Sequence, residues 1–256
     1  MKTTITTAAI ALAIAFGGLT VSAQPKNPKG APKGPKQEFV RTGEKTRPGD
    51  KSKDWAGLAC YEEQNVAHLS KPGKYQRPLA VLMGDSITWG WYSMDQDFFT
   101  ANNLIGRGIS GQTTSEMLVR FRPDVIELHP KYAVIMAGTN DLAHNNGDIT
   151  IDNIFRNIIS MAELANAARI KPVLCSIPPA SQFGWRPQLG DRSGDIVRLN
   201  NMIKEYCKAH RYIYVDYHSA IKDGKNGLKA EFANDAVHPN LKGYKAMEPL
   251  LMKVLK

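Results

Sequence analysis

The stretch Leu79-Ala80-Val81-Leu82-Met83-Gly84-Asp85-Ser86-Ile87-Thr88 decides the fold of this chain. Residues 79–83 form an apolar run too brief for a helix and bounded by Pro78 and Gly84, which predicts a buried strand. Similar runs recur at 132–137, 172–177 and 212–217, with a weaker one at 103–105. Helical periodicity occupies the intervals, at 114–126, 151–168 and 194–209, and again at 241–255. One more helix is expected upstream, capped by Asp54 and running through Trp55, Leu58, Ala59 and Val66 to a stop before Pro72 and Gly73. Strands alternating with helices imply a parallel sheet covered on both faces, an α/β fold of three layers (an α/β/α sandwich) with five strands. Ligands of such sheets bind at the carboxyl ends of the strands. No internal repeat is present.

Working outward, 256 residues with 43% apolar content can bury one sizeable core and leave little room for a second. The regular elements, and with them a single catalytic domain, are expected over 54–256. Residues 1–23 have a basic start at Lys2, an apolar stretch over 8–19, and Val21-Ser22-Ala23 before Gln24, the pattern of a cleaved secretory signal. A membrane anchor is the competing reading, but a spanning helix needs roughly 20 apolar residues and Gly17 and Gly18 interrupt this run. Export to the periplasm or outside the cell, without stable membrane insertion after cleavage, is therefore expected. No Cys follows the proposed cleavage site, which argues against lipid attachment there.

Residues 24–53 carry Pro25, Pro28, Pro32, Pro35 and Pro48 among lysines and glycines, a composition expected to form a flexible tether. The tether also explains the net charge of +9, because it holds nine Lys and Arg against three acids. The remainder is nearly neutral, which argues against a nucleic-acid partner. Attraction of the tether to an acidic envelope or polysaccharide is the functional reading, and a solvated linker is the plainer one. Three cysteines, Cys60, Cys175 and Cys207, cannot all pair with one another, and no bridge is expected from them. The six histidines show no pair at ligand spacing and no phosphate-cradling Walker loop is present, so neither a metal nor a cofactor is expected.

A serine at the carboxyl end of a strand, on a turn that Gly84 makes tight, can project its hydroxyl into a site while its backbone N–H points at a bound carbonyl oxygen. Ser86 occupies that place and needs a base, since a hydroxyl is a poor nucleophile until its proton is taken. Asp235-Ala236-Val237-His238-Pro239-Asn240 supplies one. Three-residue spacing puts Asp235 and His238 on one side of a turn, so the carboxylate can orient the imidazole. His218, two residues from Asp216, is the rival base; it is expected to make structural hydrogen bonds, whereas the loop before the last helix can fold back over the strand ends. Donors for a negative oxygen are available in the glycine-punctuated loop Gly108-Ile109-Ser110-Gly111-Gln112-Thr113 and in Gly138-Thr139-Asn140-Asp141, both after strands. Asn140 could equally serve only to fix its own turn.

These four blocks resemble those of the SGNH hydrolases, also called the GDSL esterase and lipase family. Gly84-Asp85-Ser86 matches the first block, with Ile87 where the family name has Leu; Gly111 matches the second, Gly138-Thr139-Asn140-Asp141 the third, and the stretch from Asp235 to His238 the fourth. Each block alone is common, but their order and placement are specific. The resemblance implies a flavodoxin-like sandwich, a nucleophile at Ser86 with Asp235 and His238, and an oxyanion hole from the backbone N–H groups of Ser86 and Gly111 and the side chain of Asn140. Asn-Leu-Ile-Gly-Arg-Gly-Ile-Ser-Gly-Gln-Thr-Thr around Gly111, with Asp-Tyr-His-Ser-Ala from Asp216, looks similar to acyl and acetyl esterases of decorated carbohydrates or of the platelet-activating-factor acetylhydrolase type.

The expected substrate is thus a small-molecule or polysaccharide ester, with a short acyl group such as acetyl removed through an acyl-enzyme. A lysophospholipase or thioesterase with a longer acyl pocket is the alternative, and a catalytically idle glycan-binding module is the alternative from another class. Trp89 and Trp185, aromatics at strand ends, are candidate substrate contacts, while Trp91 is expected in the core. Arg120 and Arg122 are expected on a solvated or salt-bridged helix face.

Overall fold

Residues 54–70 and 76–255 are described in a computed structural model of the chain. The proposed signal at 1–23 and tether at 24–53 lie outside the described residues. Five parallel strands, β1 (Ala80–Gly84), β2 (Leu104–Gly108), β3 (Tyr132–Met136), β4 (Lys171–Cys175) and β5 (Ile213–Val215), form one sheet in the order β2-β1-β3-β4-β5. The helices in chain order are α1 (Glu62–Leu69), α2 (Ser86–Met94), α3 (Gln96–Ala101), α4 (Thr114–Asp124), α5 (Thr139–Leu142), α6 (Ile151–Ala167), α7 (Ser193–His210), α8 (Tyr217–Ile221) and α9 (Leu241–Met252).

The strand order follows from where the chain turns back. It steps from β1 to the neighbour β2, then reverses and adds β3, β4 and β5 on the other side of β1. Crossovers between parallel strands are right-handed, so the reversal sends α2 and α3 to one face of the sheet and α4, α6 and α7 to the other. The helix contacts agree, with α4 against α6 and α6 against α7, and with α9 against both α2 and α8. The reversal also opens a crevice between the ends of β1 and β3, the place where sheets of this order bind ligands. In register, Gly84 pairs with both Gly108 and Met136, so three strands end level and the loops that follow them meet.

Burial explains the elements. All five residues of β1 and of β3 are buried, as expected for central strands covered on both faces. On α6 the buried side chains Ile154, Ile158, Met161, Ala162 and Ala165 recur at helical spacing, and Thr150 caps the first turn by accepting from Asn153 N at 3.2 Å. Each large aliphatic removed from water there contributes about 1.5–3 kcal/mol. On the other face Trp91 stacks on Phe98 and Tyr244 and meets Phe99 and Tyr217 edge-on, joining α2, α3, α8 and α9 into one aromatic core. Cys175 on β4 and Cys207 on α7 are both buried, and burial pushes both thiols up.

Several sequence expectations shift. The helix expected from Asp54 begins only at Glu62: the Asp54 carboxylate accepts from Leu58 N and Ala59 N, both at 2.9 Å, and Gly57 at φ 69° turns the chain first. β2 extends beyond 105 through Gly106, Arg107 and Gly108, residues whose weak strand preference is overridden by pairing with β1. β5 is shorter than the run at 212–217, because the Asp216 carboxylate accepts from Ser219 N at 3.0 Å and starts α8 at Tyr217. Arg120 is salt-bridged, one of the two readings the sequence left open, but it lies in the core and not on a solvated face. Its side chain is wholly buried, donating to Gln112 Oε1, to Asp124 at 2.9 Å and to the carbonyls of Gly84 and Arg107, whereas Arg122 is exposed.

Candidate active site

Ser86 is the first residue of α2, immediately beyond β1. Asp85 caps that helix, its carboxylate accepting from Ile87 N at 2.9 Å while its carbonyl accepts the first helical bond, from Trp89 N at 3.0 Å. The N–H groups of a first helical turn, Ser86 N–H among them, have no partner within the helix. Asp85 is buried beneath the turn, and that burial raises its pKa to about 6 against the opposing bond from Ile87 N.

The loop before α9 brings in the imidazole. Asp235 Oδ1 accepts from Val237 N at 2.8 Å and His238 N at 2.7 Å, which closes a tight turn, and Asp235 Oδ2 meets His238 Nδ1 at 2.8 Å. The loop is tied by Asn234 N to His238 O at 2.8 Å, and α9 is anchored to the serine turn by Tyr244 Oη donating to Ile87 O at 2.9 Å. His238 Nε2 thereby lies 2.9 Å from Ser86 Oγ. Partial burial alone raises the Asp235 pKa, but the two N–H donors and the imidazole outweigh it and hold the carboxyl below its ordinary value. With a carboxylate on Nδ1, the proton belongs on Nδ1 and Nε2 is free to accept from the serine hydroxyl.

Gly111 follows β2 and Asn140 follows β3, at the same end of the sheet as Ser86. Gly111 has φ 80°, a conformation that favours glycine. Asn140, buried at the start of α5, donates from Nδ2 to Gln112 O at 3.0 Å. Asp141 clamps this loop to α4 by accepting from Thr114 N at 2.9 Å and Thr114 Oγ1 at 2.6 Å. Trp185 is exposed over buried Phe183, and its ring lies 6.4 Å from the His238 imidazole. Trp89 is exposed three residues along α2 from Ser86, with no ring contact to His238 among the described residues. His218 is placed elsewhere: it is 94% buried in α8, its N–H donates to Ser176 Oγ at 2.8 Å, and it borders a separate polar hollow of about 330 Å³ with Lys204 and Lys222. Burial holds its imidazole below the usual histidine range.

Two supports escaped sequence reasoning, Arg120 beneath the serine turn and Asn145 beside the oxyanion-type donors. Arg120 shares a helix stripe with buried Met117 and Asp124 at three and four residues, a spacing that could have flagged it. Among the described residues no group of three or more His, Cys, Asp or Glu could hold a metal ion, and no helix is long and apolar enough to cross a membrane.

A serine bonded to an imidazole that is itself held by a carboxylate, at the end of a parallel strand, is the arrangement of a serine hydrolase. The family model for the GDSL-like lipase/acylhydrolase family matches residues 82–246, and the chain belongs to that family. Membership supports ester hydrolysis as the activity. Among solved structures, a protein from Bacteroides fragilis described as an acylhydrolase is 44% identical, with 79% of this chain and 97% of that one covered and a TM-score of 0.74. A GDSL-like lipase from Bacteroides thetaiotaomicron is 42% identical over 78% of this chain and 98% of that one, also at 0.74. An acetylxylan esterase from Geobacillus stearothermophilus shares the fold at 18% identity and a TM-score of 0.56, with 69% and 93% covered. An uncharacterized lipoprotein of Bacillus subtilis is 34% identical over 130 residues, half of this chain and 44% of that protein's length.

Proposed function

We propose that the protein is an exported serine esterase that removes short acyl groups, most plainly acetyl, from carbohydrate. The observation that carries the reading is the 2.9 Å approach of His238 Nε2 to Ser86 Oγ with Asp235 on the other ring nitrogen. Ser86 Oγ attacks the ester carbonyl as its proton passes to His238 Nε2. The negative oxygen is held by the N–H groups of Ser86 and Gly111 and by Asn140 Nδ2, preorganised donors of the kind that stabilise the transition state most. Collapse expels the alcohol, which takes the proton from His238 and leaves an acyl-Ser86. Water, deprotonated by the same imidazole, then releases the acid and restores the serine.

The short-acyl and carbohydrate parts of the reading draw on the exposed Trp185 beside His238, an aromatic face suited to a sugar ring, and on the acetylxylan esterase that shares the fold. Export draws on the basic start and apolar run at residues 1–23, and the lipoprotein relative agrees with it. Residues 54–256 form the catalytic domain in this reading, and the basic stretch at 24–53 tethers it. The test is nitrophenyl esters from acetate to palmitate, followed by acetate release from acetylated glycans, each with a Ser86→Ala control. A rate maximum at acetate and release of acetate from a glycan are expected. A maximum at long chains, or a Ser86→Ala enzyme with undiminished rate, would overturn the proposal.

A further inference from the structure

Asn145 follows α5 and is half-buried, outside all four motif blocks. Its side chain nevertheless bonds to three parts of the site. Nδ2 donates to Gly111 O at 3.0 Å and to Asn140 Oδ1 at 2.9 Å, while Oδ1 accepts from Trp185 Nε1 at 2.8 Å. Only one orientation of this amide satisfies all three. An indole N–H can only donate, so Asn145 must present its oxygen to Trp185, and its nitrogen then faces Gly111 and Asn140. Gly111 offers a carbonyl, which can only accept. Asn140 must likewise offer its oxygen to Asn145, so its own nitrogen turns toward Gln112 O.

From this chain of donors and acceptors, and resting on the serine esterase reading above, we infer that Asn145 is a positioning residue for the oxyanion hole. It aims the Asn140 amide and fixes the peptide plane that follows the Gly111 N–H. It also couples both to Trp185, the aromatic wall beside His238. A substrate group seated on Trp185 is therefore linked through one side chain to two of the three donors. Were Asn145 removed, the Asn140 amide could rotate, and its oxygen would then face the developing negative charge in part of the population. Such a loss falls on the transition state rather than on substrate binding, so it lowers kcat more than it changes KM.

The experiment uses the full chain and p-nitrophenyl acetate with Asn145→Ala, Asn145→Asp, Trp185→Phe, Asn140→Ala and the Asn140→Ala/Asn145→Ala pair. Loss of one preorganised donor costs about a hundredfold in kcat, so Asn145→Ala, which misdirects such a donor part of the time, should lower kcat by roughly tenfold to a hundredfold with KM within about threefold. Asn145→Asp keeps the shape and the acceptor for Trp185 but loses both donations, and should fall at least as far as the alanine variant. Trp185→Phe keeps a ring and loses only the N–H, giving a smaller loss in the same parameter. In the Asn140→Ala background, removing Asn145 should cost clearly less than it does alone, because the part of its effect that runs through the Asn140 amide is already lost and only the part at Gly111 remains. Unchanged kcat in the near-isosteric Asn145→Asp, or fully multiplying losses in the pair, would overturn the inference. Ser86→Ala separates it from the underlying reading: if that variant is dead while Asn145→Asp is fully active, only the Asn145 inference falls, and if Ser86→Ala is active, the esterase site itself falls.

Discussion

Arg120 donates from Nη2 to the carbonyl of Gly84 at 2.9 Å, so a fully buried guanidinium holds the last residue of β1 just before Asp85 and Ser86. The same guanidinium binds Gln112 Oε1, Arg107 O and Asp124, and Gln112 in turn donates to Ala56 O at 2.7 Å. Nearby, Arg107 donates to Asn65 Oδ1 and lies over the Tyr61 ring, while the Tyr61 hydroxyl bonds Gly108 O. The segment before β1 is thus wired into the loops that carry Ser86 and Gly111, through buried polar groups that satisfy one another.

Arg120→Met should be costly because it takes the ion-pair partner from the buried Asp124 carboxylate, which keeps the bond from Asn65 Nδ2 at 2.8 Å. Breaking a buried pair in this way costs about 3–5 kcal/mol, whereas removing both charges costs less. Urea denaturation is expected to show a loss of that order for Arg120→Met and a partial recovery on adding Asp124→Asn. Equal stability of the single and double variants would show that the charge is not what the network satisfies.

Gly108→Ala probes the close approach of β2 to the serine turn. A Cβ at Gly108 would fall onto Trp89 N and within 2.6 Å of Asp85 O, both backbone atoms that a rotamer change cannot move. Gly194 has nothing within 4 Å of the same atom and serves as the control. The expected outcome is a loss of stability and of ester hydrolysis together for Gly108→Ala, read by thermal melting and by turnover, with Gly194→Ala unchanged in both. A fully active Gly108→Ala enzyme would mean the turn can shift without disturbing Ser86.

These contacts mark the boundary of what the sequence makes legible. The sheet was readable because the apolar runs at 79–83 and 132–137 alternate with helical periods, and short runs flanked by Pro and Gly leave few alternatives. Ser86, Gly111, Asn140, Asp235 and His238 could be named because each lies in a short block placed beside a strand end or before the last helix. The long-range bonds of Arg120 and Asn145 could not, although the helix spacing of Arg120 with Met117 and Asp124 hints at its burial. Their partners sit at separations of 36 residues for Arg120 to Gly84 and 40 for Asn145 to Trp185, and only tertiary packing brings such groups within hydrogen-bond reach. The helix expected from Asp54 begins later, at Glu62, for a local reason, since Asp54 caps a non-helical turn with the same carboxylate that would cap a helix.

The two candidate bases separate cleanly by geometry. His238 Nε2 meets Ser86 Oγ, while His218 is buried in α8 with its N–H bound to Ser176 Oγ. His238→Ala is expected to lower turnover of p-nitrophenyl acetate by roughly 10⁴-fold or more. His218→Ala should keep turnover within a few-fold and show any effect in melting temperature, because its imidazole is core rather than site. Steady-state kinetics on the two variants decides it, and the reverse ranking would move the base to His218.

Asp85 ties the serine turn to pH. Its folded pKa is raised to about 6 by burial, against about 3.9 for an unfolded aspartate. A raised carboxyl binds more protons folded than unfolded, so its contribution to stability is fully present below about pH 4 and is lost as pH rises through about 6. Asp235 has the opposite sign: its depressed pKa adds stability above the ordinary carboxylate range, and that contribution is lost only as pH falls below it. Asp85→Asn can keep the bond from Ile87 N through its amide oxygen while removing the buried charge. Its stability relative to the parent should therefore grow between pH 4.5 and 7.5, by on the order of 1–3 kcal/mol. Urea denaturation at the two pH values measures the difference, and a gap between Asp85→Asn and the parent that does not change with pH would show that Asp85 titrates as an ordinary carboxylate in the folded protein.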